Sequence, residues 1–503
     1  MKVFALLVIN LLLLIPALSA HAQETNPKLT NEDVVKMVQA GLSADQIMSK
    51  IKKSETDFDT SPSALVALPK RGVPNEILLA MLESDPLGSN TPLRKNGKRM
   101  TAAEFQELRA SVLTVWSEVG SGTGFIFDEA GLVLTSNHVI GSSKYIAVQF
   151  DRKRKIPAKL LASDRETDVA VLWVNLAMIP DAGVARLADP ELNERSIAEG
   201  ERVFTIGSPL HDRKVFTAGV ASKVDSRVIV CDINLDSNDS GGPLFNSLGE
   251  TVGMTTFLPP EIAGRATYAT LRIEQTYPLI EQARRKMNRT SSPVASFLPV
   301  DPQEPFPLET IKTAKQFDMT RYSFDVGDFS VLVMTPAVRY RLATATQISS
   351  DDKRLEELKK LRGYVRADRP VLFIYAAPLS NESFHEMHLF CGDREVVPIH
   401  PAKLGFVTAQ DVTFGGIYAY PPNAISSDCG TVKLEISSER TPQRMRTTDL
   451  DRKVIARVDE EFIPYYQKYG RPSLALLEPR GSSETTLTKS NKWMEFSKPR
   501  KQK

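Results

Sequence analysis

Between residues 103 and 288 the chain alternates short β-rich runs with glycine-containing turns: "SVLTVW", "GTGFIF", "LVLTS", "YIAVQF", "DVAVLWV", "RVFTIG", "VIVCDI" and "TVGMTTF". Strands this short and this closely spaced leave no room for crossover helices. The block can therefore fold as a sandwich or a barrel but not as βαβ units. It closes on a helical pattern, "IEQTYPLIEQARRK". One such block is an ordinary domain, so a chain of 503 residues must hold others.

Polar and proline-rich stretches mark the boundaries. The polar run over 85–102, "SDPLGSNTPLRKNGKRMT", reads as a linker. A second linker, 289–309, carries five prolines from Pro293 to Pro307 and is expected to stay extended and separate domains. Ahead of the first linker, residues 28–84 show a helical hairpin twice. Thr30 and Asp33 form a capping-box signature, Gly41 ends that helix and Ser43 caps the next. The pattern recurs 31 residues on, with Gly72, Leu78 and Leu82 at the places of Gly41, Ile47 and Ile51. After the second linker, residues 310–480 read as a β-rich domain, a sandwich or open barrel, interrupted by one charged helix, "DDKRLEELKKLRG". Residues 481–503 read as a disordered basic tail.

The net charge of +2 offers no electrostatic case for nucleic acid. The local runs "RKRK" (Arg152 to Lys155) and "KPRKQK" read as a solvated loop and a tail. Lys2, an apolar run from Val3 to Leu14, and small Ala20 and Ala22 form a signal peptide over 1–22, so the mature protein is expected to begin near Gln23 and to be exported, periplasmic or secreted. No later segment is apolar for long enough to span a membrane. Three cysteines are too few for a disulfide framework. Cys391 and Cys429 can pair in an oxidising compartment, a matter that geometry decides. Cys231 is left as a small hydrophobe in a strand. His385 and His388 would point to opposite faces of a strand, which makes them poor joint ligands, and no HExxH or nucleotide-binding glycine pattern occurs. No metal and no cofactor are expected.

The β-rich block holds one candidate for each role in acyl transfer by a hydroxyl nucleophile. His138 follows a strand in "GLVLTSNHVI". Asp168 enters an apolar strand in "RETDVAVLWV", where a carboxylate can be buried beside an imidazole, unlike its neighbour Asp164. Ser240 stands in the tight loop "NDSGGPLF".

The flanking sequences carry a resemblance. "GTGFIFDEAGLVLTSNHVI", "SDRETDVAVLWV", "VFTIGSPL", "FTAGVASKV" and "NDSGGPLFNSLGETVGM" resemble, in order, the motifs of trypsin-like serine proteases of the bacterial HtrA/Deg type over about residues 105–288. The resemblance implies a chymotrypsin-like core of two six-stranded β-barrels in a multi-domain, mainly β protein. It implies His138 as general base, Asp168 as its orienting partner and Ser240 as nucleophile, with backbone N–H groups of Asn238 and Ser240 facing an oxyanion. It places Asn234 at the base of the specificity pocket, where an uncharged residue argues against strict Lys or Arg preference, and Met254, Thr255, Thr256 and Phe257 beside the substrate backbone. It also admits a homo-oligomer. The PDZ domains usual in that family are not recognised.

Asn238 departs from the glycine usual in such loops, although asparagine tolerates positive φ better than other residues. Two readings of different class follow: an endopeptidase acting on protein or peptide substrates, and a catalytically silent protease fold that binds a partner protein through its helical or β-rich flanking domains. An esterase using the same three groups is a third.

Overall fold

The structure, a computed structural model, describes residues 28–54, 56, 58, 68–69, 71–84, 102–189, 197–208, 214–233, 235, 239–258, 267–287, 293–312, 319–344, 366–379, 382–407 and 412–477. The segments expected to be a signal peptide, the first linker up to residue 101, a charged helix at 351–363 and a basic tail lie outside these residues. The chain divides into two compact units, Met1–Asn90 and Thr91–Lys503.

In the first unit, helices α1 (Asn31–Gln39) and α2 (Ala44–Lys53) each begin with a complete capping box, Thr30 with Asp33 and Ser43 with Gln46. These reciprocal bonds satisfy N–H groups that a helix start leaves open. Helix α3 (Asn75–Ser84) follows Pro74. Gly41 and Gly72 both take positive φ, at +77° and +88°. Val34, Val35, Ile47, Ile51, Phe58, Ile77, Leu78 and Met81 share one core. Ile47 and Leu78 occupy matching places in the repeat; the Leu82 side chain lies outside the described residues.

The second unit opens with helix α4 (Ala102–Ser111) and two β domains. Strands β1 (Val112–Ser117), β2 (Gly120–Asp128), β3 (Leu132–Ser136), β4 (Ile146–Gln149), β5 (Lys155–Pro157), β6 (Lys159–Asp164) and β7 (Val169–Trp173) form one antiparallel sheet in the order β5-β4-β1-β2-β3-β7-β6. A four-residue helix, α5 (Asn137–Ile140), follows β3 directly. The outermost strands, β5 and β6, are separated in the chain by Ala158 alone, whose N–H bonds the carbonyl of Ile146 (2.9 Å). One bent segment thus supplies both edges, and the sheet must curl until they meet. Six strands were expected; the seventh is this corner. Leu113, Val115, Ile126, Val133, Val148, Ile156 and Leu172 fill the interior.

Strands β8 (Arg202–Gly207), β9 (Val215–Val224), β10 (Val228–Cys231), β11 (Pro243–Asn246), β12 (Thr251–Leu258) and β13 (Thr267–Arg272) close a second barrel in the order β10-β13-β12-β11-β8-β9. Helix α6 (Tyr277–Met287) returns to pack on β6 and β7 of the first barrel.

The C-terminal region is a sandwich. Strands β14 (Ser323–Val326), β15 (Phe329–Met334), β16 (Leu372–Pro378), β17 (Phe384–Cys391), β18 (Arg394–Glu395), β19 (His400–Val407), β20 (Val412–Tyr420), β21 (Val432–Ser438) and β22 (Arg446–Asp449) form two sheets, β14-β15-β16-β20-β19 and β18-β17-β21-β22. Their buried faces make a single core. Gly416 on β20 leaves room for the Phe384 ring of the other sheet; a Cβ there would lie 2.3 Å from it. The β-rich expectation for this region missed helix α7 (Arg452–Tyr469), which lays Ile455, Val458, Phe462 and Tyr465 on that core. Cys391 and Cys429 are joined by a disulfide, and Cys231 is a free, half-buried thiol.

Two expectations are corrected here. The proline-rich segment does not hold the sandwich away from the barrels. Leu298 donates its N–H to the carbonyl of Lys155 (2.7 Å) and packs in a cluster with Tyr145, Ala147 and Val397, joined by Trp116, Ala475 and Leu477. Burying each large apolar side chain this way stabilises the joint by roughly 1.5–3 kcal/mol, more than an extended tether provides. The run "RKRK" is not wholly a solvated loop: Lys155 is 1% exposed, because β5 is covered by this joint.

His388 on β17 is buried between Glu395 (Nδ1–Oε1, 2.5 Å) and Glu386 (3.7 Å), while His385 contacts Lys144. Burial alone would lower the His388 pKa, but the two carboxylates outweigh it and hold it at about 9. A pKa raised above the unfolded value of about 6.5 stabilises the fold below pH 6.5 and loses that contribution as pH rises through 9. Thermal unfolding of the full chain between pH 6.5 and 9.5 is expected to show a falling midpoint, with a shallower fall in His388→Gln. Replacing Cys391 and Cys429 by alanine, which opens a crosslink across a separation of 38 residues, is expected to cost about 2–4 kcal/mol in denaturant unfolding.

Candidate active site

The three candidate residues come from three separate places in the fold. His138 lies in α5, immediately after β3. Asp168 precedes β7, and Ser240 precedes β11. Strands β3 and β7 are paired, Ser136 opposite Val169, which brings the His138 and Asp168 segments together.

Asp168 is a hub. Its backbone carbonyl accepts from Asn137 N–H (3.0 Å). Its carboxylate accepts from the His138 N–H through Oδ1 (2.7 Å) and meets His138 Nδ1 through Oδ2 (2.6 Å). It is also the one described non-glycine residue at positive φ, +55°. That conformation costs most residues about 1–3 kcal/mol, and Asp is among those that tolerate it best. With its Nδ1–H given to the carboxylate, a neutral imidazole keeps Nε2 as its acceptor. The carboxylate is largely buried, whereas the imidazole is 42% exposed.

The Ser240 loop is held from both sides. Thr123 N–H on β2 donates to the Ser240 carbonyl (2.9 Å). Gly241 N–H donates to Thr255 O (2.6 Å), Thr255 N–H to Gly242 O (2.8 Å), and Gly242 N–H to Thr255 Oγ1 (3.0 Å). Gly241, at φ +88°, must be glycine: a Cβ would stand 2.1 Å from the carbonyl oxygen of Thr123. The Ser240 side chain is 1% exposed, and its hydroxyl has no hydrogen-bond partner among the described residues. His138 and Asp168 are thus joined, while the serine–imidazole bond is not made in this conformation. Asn238 and Asn234 lie outside the described residues.

The residues expected beside the substrate have internal partners as well. Thr255 Oγ1 donates to Asp239 O, tying down the loop, and Thr256 Oγ1 donates to Asp168 Oδ2. Ser136 Oγ in turn donates to Thr256 Oγ1 (2.9 Å). Met254 is also buried; Phe257, 41% exposed, is the one of the four at the surface. Strand alternation explains the two destinations of the threonines, Thr255 facing the Ser240 loop from one side of β12 and Thr256 facing Asp168 from the other. Sequence reasoning did not assign Thr256 or Ser136 to the acid. The signal was the adjacent "TT", but only the pairing of two distant barrels shows which hydroxyl meets Asp168.

Residues 122–254 match the family of the trypsin-like peptidase domain. A probable periplasmic serine endoprotease, DegP-like, of Pseudomonas savastanoi pv. phaseolicola (strain 1448A / Race 6) is 33% identical over 193 residues, 37% of this chain and 36% of that protein. A DegP-like relative from Pseudomonas putida (strain GB-1) is 36% identical over 143 residues, 27% of this chain and 28% of its own length. The chain therefore spans about a third of the length of the curated relatives it matches. The solved structure of Deg5 overlaps 35% of this chain and 90% of its own, with 23% identity and a TM-score of 0.30.

Removing one hydrogen bond to a buried charge costs about 1.5–3 kcal/mol, or roughly ten- to a hundredfold in rate. Thr256→Val is expected to slow the reaction of Ser240 with a fluorophosphonate probe by about that factor without unfolding the protein, as judged by circular dichroism. Unchanged labelling would show that the Thr256 hydroxyl does not orient the acid.

Proposed function

We propose that this chain, which carries a trypsin-like peptidase domain of the HtrA/Deg type, is an exported serine endopeptidase that hydrolyses peptide bonds of protein substrates through an acyl-enzyme. The single observation that carries the reading is the Asp168–His138 hydrogen bond, in a fold that also clamps the serine loop between β2 and β12. The periplasmic names of the relatives support export.

In this reading the Ser240 side chain turns toward Nε2 of His138 when a substrate arrives. Hydrogen bonds of this kind are often long or unmade before substrate binds. Nε2 takes the hydroxyl proton as Oγ attacks the scissile carbonyl. Asp168, fixed by Thr256 and by the His138 N–H, holds the imidazole in its tautomer and stabilises the imidazolium. The same proton then goes to the leaving amine, the acyl-enzyme forms, and a water deprotonated by His138 releases the second product. The backbone N–H groups of Asn238 and Ser240 are assigned to the oxyanion. Phe257, exposed at the end of β12, is the side chain assigned to substrate contact.

The partnerless Ser240 hydroxyl specifically favours a second reading, a silent protease fold that binds a partner protein. Incubation with a fluorophosphonate probe and with unfolded casein separates the two. Labelling and casein cleavage are expected, with cleavage reduced by about four orders of magnitude or more in Ser240→Ala. Absence of both in the wild-type chain would establish the silent fold, and labelling without cleavage of any protein or peptide would indicate an esterase.

A further inference from the structure

The joint between the first barrel and the C-terminal sandwich encloses a cavity of about 190 Å³, lined by residues of both domains and of the proline-rich segment and by none of His138, Asp168 or Ser240. A cavity of about 150 Å³ holds benzene, so the space suits a small organic molecule.

Its walls are chemically distinct. Trp116 and Phe373 supply aromatic surface, and Lys155 and Arg369 supply cations. Arg369 bonds Asp301 through Oδ2, while Asp301 Oδ1 is buried with no hydrogen-bond partner among the described residues. Lys155 is different. Its ammonium donates to the carbonyl of Ile399 and lies 5.2 Å and 5.5 Å from the ring centres of Trp116 and Tyr145. Among the described residues no carboxylate forms an ion pair with it. An ammonium carries three donors, and a buried cation without a counter-charge is costly. Burial, opposed by the nearby charge of Asp301, pulls the Lys155 pKa down to about 7. Lys155 and Arg369 set against Asp301 leave this cavity with one positive charge in excess, next to apolar surface.

We propose that this cavity binds a small organic carboxylate with an apolar or aromatic body, the carboxylate paired with Lys155 and Arg369 and the body lying against Trp116 and Phe373. The inference is independent of the peptidase reading, since none of these residues belongs to the Ser240 site. Lysine supplies the charge and arginine a planar fork, a pairing that suits a carboxylate. The rings select a hydrocarbon body over a bare inorganic anion.

Calorimetric titration of the full chain tests the proposal, using the Ser240→Ala form so that hydrolysis plays no part. Phenylacetate and 4-methylpentanoate are the probes, and neutral 2-phenylethanol is the control. At least one carboxylate is expected to bind one to one, with 2-phenylethanol at least about tenfold weaker, the loss that one charge-assisted contact carries. Lys155→Met is expected to weaken the carboxylate by about the same factor; should it not fold, Arg369→Gln, at a partly exposed position, carries the same expectation. Absence of binding by both carboxylates, equal binding of the alcohol, or binding indifferent to both substitutions overturns the site and leaves a cavity that holds water.

Discussion

The Asp168 carboxylate is the interaction on which the rest of the site depends, because it belongs to both barrels. From the first barrel it accepts the N–H and Nδ1 of His138; from the second it accepts the hydroxyl of Thr256. A largely buried carboxylate needs hydrogen-bond donors, and among the described residues none of its neighbours along the chain provides them. The demand for donors therefore aligns α5 with β12. The Ser240 loop follows the same alignment, since its N–H and carbonyl groups are shared between Thr123 on β2 and Thr255 on β12.

The C-terminal sandwich extends this architecture. Strand β19 meets the first barrel at the β1–β2 turn, with His400 Nε2 on the carbonyl of Ser117 (2.7 Å) and Lys403 N–H on that of Glu118 (2.8 Å). Ser117 Oγ in turn donates to the carbonyl of Val139, the residue after His138 (2.6 Å). The covering domain is thus continuous, through ordinary hydrogen bonds, with the short helix that carries the imidazole. Glu118 is buried at this contact, and desolvation raises its pKa against the pull of Lys403 and Lys144. Polar groups enclosed at this contact favour a fixed arrangement over a loosely tethered one.

Legibility tracked the range of the interaction. The capping boxes at Thr30 and Ser43 and the left-handed Gly41 and Gly72 rest on contacts within a few residues; strands such as β3, β7 and β12 pair with distant segments but carry their own apolar, β-branched pattern, so each was readable locally. The order His138, Asp168, Ser240 was readable because flanking motifs accompany each residue. Strands β5 and β6 were not, since three and six residues beside a basic run carry little periodicity of their own. Helix α7 escaped because the β-rich runs ahead of it coloured the whole region, although its apolar stripe is regular.

What the sequence alone determined is the chemistry available to the protein: which hydroxyl, imidazole and carboxylate it owns, and the strand-and-turn punctuation that restricts the block around them to a sandwich or a barrel. Tertiary structure decided which groups become partners. It gave Thr256 to Asp168, closed the first sheet at Ala158, folded the proline-rich segment onto β5 and buried Lys155. Each of those outcomes depends on surfaces far apart in the chain meeting and excluding water, and the free energy of that exclusion is a property of the assembled faces, which no local stretch of residues records.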